Sequence, residues 1–131
     1  MNSKCVLLVS AEPSALAPAL TPFTDAGFAV REESSLAAAL PHIDPAAPPA
    51  LVLLDASSNA AGNDSGEALR EAAIAVLSRC ALTYLAAVSP MDPESFHDAM
   101  EGLGMLPPLP PHPTKKDGEA LLESLRRFLH A

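Results

Sequence analysis

Positive charge, aromatic rings and closely spaced cysteines are all scarce in this chain, and each shortage argues against a class of function. Eight Lys and Arg residues face sixteen Asp and Glu over 131 residues, a formal net charge of −8 with histidine neutral. A nucleic-acid partner or an anionic membrane surface would have to be met with cations, so neither partner is expected. One tyrosine, four phenylalanines and no tryptophan leave the core to Leu, Val and Ala. Cys5 and Cys80 stand apart, in or beside apolar stretches, without C-x-x-C spacing, and read as packing residues. His42, His97, His112 and His130 show no H-x-x-x-H or His–Cys spacing, so a zinc-type site is not indicated. No apolar run approaches the roughly 18 residues of a membrane span. The N-terminus lacks a basic-then-apolar leader pattern, and a cytoplasmic location is the expectation.

What is present is a rhythm. Five short apolar runs, each followed by a helix-like stretch, cross the chain: CVLLV (5–9), FAVRE (28–32), LVLLD (51–55), LTYLAAV (82–88) and a last one in MLPPLPPHPTKK (105–116). Between them, Leu16, Leu20 and Phe23 share one helical face, with Pro22 expected to kink or end that helix early. Leu36 and Leu40 are one turn apart. Leu69, Ala73, Val76 and Leu77 form a third stripe, Phe96, Ala99, Met100 and Leu103 a fourth, and Leu121, Leu125, Phe128 and Leu129 a fifth. Apolar strands alternating with amphipathic helices predict a parallel sheet covered on both faces. Right-handed crossovers narrow this to an α/β, three-layer, flavodoxin-like (βα)5 doubly wound sheet of strand order 2-1-3-4-5. Pro107 and Pro108 cannot donate to a ladder, so the fifth strand is expected to be short and at an edge. The length fits one domain, 1–131, with no output domain expected.

In such sheets chemistry gathers outside the carboxyl ends of the strands. Ser10, Ala11 and Glu12 follow strand 1, Asp55 ends strand 3, Ser89 follows strand 4, and 107–113 follows strand 5. No glycine-rich phosphate loop or G-x-S-x-G elbow appears among them. LVLLDASSN (51–59) therefore poses the question of the site. Asp55 is either a working carboxylate or a strand-end acceptor for N–H groups of the 57–59 turn. The stretch 56–66 reads as a mobile loop beside it.

These segments, taken in order, resemble the receiver domain of two-component response regulators. VLLVSAEP resembles the first strand, where an acidic pair precedes Glu-Pro, and GFAVREESSLAAAL the second strand and helix. LVLLDASS resembles the phosphoacceptor strand, and the resemblance puts the phosphorylated aspartate on Asp55. GEALR, SPMDPESFHDAM and EGLGMLPPLP complete the series, the last resembling a segment that in the family ends Lys-Pro.

Departures from the pattern fall on the chemistry. The family's Mg²⁺-holding acidic pair falls on Ser10 and Ala11, leaving Glu12 and Asp55 as the metal ligands to be considered. The lysine position falls on Leu109 or on His112, with Lys115 and Lys116 nearby. The phosphate-contacting hydroxyl falls on Ser89, or is lost at Ala86 or Ala87. The resemblance thus implies a stand-alone, non-enzymatic receiver-like protein with no cofactor or only weak Mg²⁺, and with impaired or absent phosphorylation. It would contact a histidine kinase or other regulator through the face of helix 4, strand 5 and helix 5, or form a homodimer. The alternative is a working phosphoacceptor at Asp55. The second half also resembles STAS domains of anti-sigma-factor antagonists, in which Ser65 after Asp64 would be the modified residue. MLPPLPPHP also has the P-x-x-P spacing of a polyproline II ligand, beside its plainer reading as a rigid edge with X-Pro bonds open to the cis form.

Overall fold

A computed structural model describes residues 3–56 and 66–129, with side chains over 4–56 and 69–128. The strands are β1 (Ser3–Val9), β2 (Ala29–Glu33), β3 (Pro49–Asp55) and β4 (Tyr84–Val88). The helices are α1 (Ala17–Asp25), α2 (Leu36–Ala39), α3 (Gly66–Arg79), α4 (Pro93–Ala99) and α5 (Lys115–Leu129). All pairings are parallel and the order is β2-β1-β3-β4.

Side-chain alternation along the strands divides the core in two. Leu7, Val9, Val52, Leu54, Leu85 and Ala87 pack with α2, α3 and α4. Val6, Leu8, Leu51, Leu53, Ala86 and Val88 pack with α1 and α5. That is the period-two pattern of a sheet buried on both faces, and it produces the three layers expected. Helix starts are set locally. Ser35 caps α2, Asp92 caps α4 ahead of Pro93, and Thr114 exchanges hydrogen bonds with Asp117 as a capping box for α5.

The expected fifth strand is reduced to a single bridge between Val88 and Leu109. Leu106 N–H donates to the Leu85 carbonyl (2.9 Å), Leu109 N–H to the Ala87 carbonyl (2.8 Å), and Ser89 N–H to the Leu109 carbonyl (2.9 Å). Three residues of this segment span two of β4. The residue that regular pairing would place opposite Ala87 is Pro108, which has no N–H, so the chain takes an extra residue and Leu109 donates instead. The peptide bonds are all trans among the described residues, so the proline run holds no cis bond.

Three smaller expectations also change. Helix α1 begins after a 3-10 turn (Pro13–Leu16) and runs through the buried Pro22, ending at Asp25 less than one turn beyond it. The fourth strand begins at Tyr84 rather than Leu82, which is 65% exposed in the preceding turn. Phe128 is half-exposed and stacks on Tyr84 at a centroid distance of 5.5 Å rather than entering the core.

Candidate functional site

Strand parity assembles the site. Ser10 continues the face of Val6 and Leu8, and Asp55 continues that of Leu51 and Leu53, on strands paired Val9↔Leu54. Both side chains therefore rise on the same face of neighbouring strands. Ser10 and Asp55 are 1% and 2% exposed, and Ser10 Oγ donates to Asp55 Oδ2 at 2.6 Å. The Ser10 hydroxyl in turn accepts the Glu12 N–H at 3.0 Å, and the Ser10 N–H donates to the Glu33 carbonyl at 3.0 Å. Ser10 is thereby held at both its backbone and its hydroxyl.

The remaining candidates separate into buried and exposed sets. Ser89 is buried, and its hydroxyl accepts the Met91 N–H at 3.1 Å. Ala56 ties the end of β3 to β4 through its N–H on the Val88 carbonyl (2.8 Å). Ala11 and Glu12 are exposed on the loop after β1. Leu109 is buried in the α1–α5 core cluster beside β4. His112 is exposed and turns the chain with a left-handed φ of 55°. Lys115 and Lys116 open α5 and are exposed. Ala86 and Ala87 sit inside β4, one on each face of the sheet. Ser65, Asp64 and the 57–59 turn lie outside the described residues.

A divalent cation such as Mg²⁺ asks for several oxygen ligands in near-octahedral array. Among the described residues no group of three His, Cys, Asp or Glu side chains could hold a metal ion. Asp55 is engaged by Ser10, and Ala11 brings no donor side chain. The described residues do not fit that ion. The Ser10–Asp55 bond was legible from strand parity, which puts the last residue before one loop beside the last residue before the other. By motif alone, Ser10 stands only where the family has an acid.

By sequence, the chain matches no family and no curated protein. By structure it superposes on a two-component response regulator from Clostridium difficile with a TM-score of 0.75 at 8% identity, covering 98% of this chain and 100% of that one. The chemotaxis response regulator CheY4 of Vibrio cholerae gives a TM-score of 0.71 at 18% identity, over 92% and 97%. The chain has the CheY-like receiver fold. A third receiver-fold neighbour is a response regulator from Burkholderia pseudomallei with a phosphorylated aspartic acid, calcium ion and citrate (TM-score 0.67, 16% identity, 98% of this chain and 72% of that one). Among the described residues, no helix of this receiver-fold chain is long and apolar enough to cross a membrane.

Proposed function

We propose that the protein is a receiver-like signalling module of a two-component or phosphorelay system that acts by protein contact, with Asp55 serving the fold rather than phosphoryl chemistry. The 2.6 Å bond from Ser10 to Asp55, both buried, carries this reading. Phosphoryl transfer to a carboxylate depends on positioning and on cations that neutralise the spreading charge. At the position where receivers bring an acid, this chain brings a hydroxyl and directs it at Asp55 itself. Adding a phosphoryl group at Oδ2 would displace that bond and bring roughly two negative charges to a buried site. We read the protein as non-enzymatic. Its expected contact face is α4, the 106–109 segment and α5, where a cleft of about 470 Å³ opens between Phe96, Met100, Met105 and Leu106. A kinase, another regulator or a second copy of the chain would dock there.

A second reading keeps Asp55 as a phosphoacceptor. It is favoured by the place of Asp55 at the carboxyl end of β3 and by the phosphorylated aspartic acid of the Burkholderia neighbour. The STAS-type reading is less supported, because two strand–helix passages precede β3 here. An amide NMR titration with Mg²⁺ and then beryllofluoride separates the first two. A flat response is expected. Saturable shifts at residues 10–12, 55 and 89, abolished in Asp55→Ala, would establish the phosphoacceptor instead.

A further inference from the structure

His42 meets Arg31 and Glu33 at the β2 edge of the sheet, a cluster that neither the fold nor the Asp55 site uses. Arg31 Nε donates to Glu33 Oε2 at 2.9 Å, and Arg31 Nη2 lies 3.0 Å from His42 Nε2. The same histidine nitrogen is 3.3 Å from Glu33 Oε2. The last two contacts ask opposite things of one atom. A guanidinium only donates, so Nε2 must be bare to receive Arg31. An ionised carboxylate only accepts, so Nε2 must carry a hydrogen to bond Glu33. A neutral ring with its hydrogen on Nδ1 satisfies the first contact, and a charged ring satisfies only the second.

Which partner yields depends on how each is held. Glu33 ends β2 in register with Val9, its carbonyl accepts the Ser10 N–H at 3.0 Å, and its side chain is 18% exposed. His42 closes the 3-10 turn Leu40–His42 and is followed by buried Ile43, whose carbonyl accepts Arg79 Nε at 3.2 Å. The Arg31 side chain is 53% exposed on an edge strand and has solvent to move into. The other charged groups nearby among the described residues are engaged or face elsewhere. Glu32 alternates to the opposite face of β2, and Asp44 Oδ1 accepts the Ala46 N–H. Arg79 is spent on the Ile43 carbonyl, α2 brings no titratable side chain, and on β1 the Cys5 thiol feels the Arg31 charge.

We infer that Arg31, Glu33 and His42 form a pH-operated latch at the β2 edge. With His42 neutral the latch is closed, and Nε2 accepts from Arg31. Protonation turns Nε2–H to Glu33, sets two cations side by side and releases Arg31 to solvent. Histidine changes charge between about pH 5 and 8, so mild acid unmasks a cation on a chain of net charge −8. The Ser10 N–H, bonded to the Glu33 carbonyl, is where the Asp55 site senses the exchange. The latch works alike whether Asp55 serves the fold or accepts a phosphoryl group, so its failure and that of the functional reading are distinguishable.

The test is NMR of the full chain, ¹⁵N-labelled, from about pH 8 to about pH 5. At the alkaline end the His42 ring is expected to carry its hydrogen on Nδ1, with Nε2 bare. On acidification the Arg31 side-chain and Ser10 amide signals are expected to move along the same curve as the His42 ring. Arg31→Ala removes the donor to Nε2 and should shift the hydrogen of the neutral ring from Nδ1 to Nε2, facing Glu33. His42→Phe should flatten the Arg31 and Ser10 curves, whereas His97→Gln/His112→Gln should leave them unchanged. Either single variant carries the test if the other does not fold. A neutral ring with its hydrogen on Nε2 in the parent, Arg31 or Ser10 signals that ignore the His42 curve, or curves that persist in folded His42→Phe would each overturn the inference.

Discussion

Gly118→Ala is the substitution on which helix propensity and packing disagree most sharply. In a helix interior, alanine is favoured over glycine by about 1 kcal/mol, so an exposed helix would gain stability. Gly118, however, is buried in the first turns of α5 against α1. A Cβ there would overlap the Ala19 carbonyl oxygen and lie 2.7 Å and 2.8 Å from its carbonyl carbon and Cα. Carbon atoms rest about 3.5–4.0 Å apart, so the helices would have to separate by roughly 1 Å. The obstacle is backbone, and no rotamer change relieves it. Overpacking of this kind costs about 1–3 kcal/mol, and a rigid backbone contact belongs at or above the top of that range. Net of propensity, a loss of about 2 kcal/mol is expected, or some 5–10 °C in melting temperature for a chain of this size. Thermal and urea unfolding followed by circular dichroism at 222 nm would measure it. Ala120→Gly on the exposed face of α5 gives the propensity scale, and Ala19→Gly should fail to rescue the variant because it leaves the Ala19 backbone in place. A Gly118→Ala protein as stable as the parent, or more so, would refute the packing argument.

Three further outcomes follow from the site and the helix caps. Ser10→Ala removes the donor to a buried carboxylate and should cost about 1–3 kcal/mol in urea unfolding, more than the same change at exposed Ser14. The Asp92 carboxyl is held below its ordinary 3.8 by hydrogen bonds from Ser95, first the hydroxyl and then the N–H. The cap is thus at full strength above about pH 4 and is lost as pH falls through the lower folded value, so the protection factors of α4 amides, corrected for intrinsic exchange, should fall in acid, and Asp92→Ala should erase that dependence. Burial pushes the Cys5 thiol above 9.0 against a smaller opposing pull from Arg31. Its alkylation at pH 8 should therefore be slower than that of an unstructured cysteine peptide, and faster in Cys5 of an unfolded sample.

The sheet was legible because its signal is repeated. Apolar runs such as VLLV and LVLL, buried on both faces, appear at each pass, and right-handed crossovers leave one compact order for them. The fifth strand was only half legible. Its prolines marked an edge, but the sequence did not reveal that Pro108 would fall where Ala87 needs a donor. Leu82 and Phe128 misled for a different reason: each continues an apolar pattern past the point where the fold has a surface to cover it. At the site, the candidate positions were readable, whereas the bond between Ser10 and Asp55 depends on the β1–β3 register, which the sequence does not spell out. Ser10 looked like a missing acid, and only strand pairing turns it into a partner for Asp55.

The proline-lined edge of β4 also bears on how the protein behaves when crowded. A sheet edge usually offers a row of backbone donors and acceptors on which a neighbour's strand can lay itself down. Along this edge Leu106 and Leu109 spend their N–H groups inward, and Pro107, Pro108, Pro110 and Pro111 have none to offer. An incoming strand would find no ladder to extend. Replacing Pro107 and Pro108 with valine would restore a donor toward β4 at 108 and an outward one at 107, with a β-forming pair along the rim. The same change that completes the fifth strand would thus open the molecule to edge-to-edge aggregation.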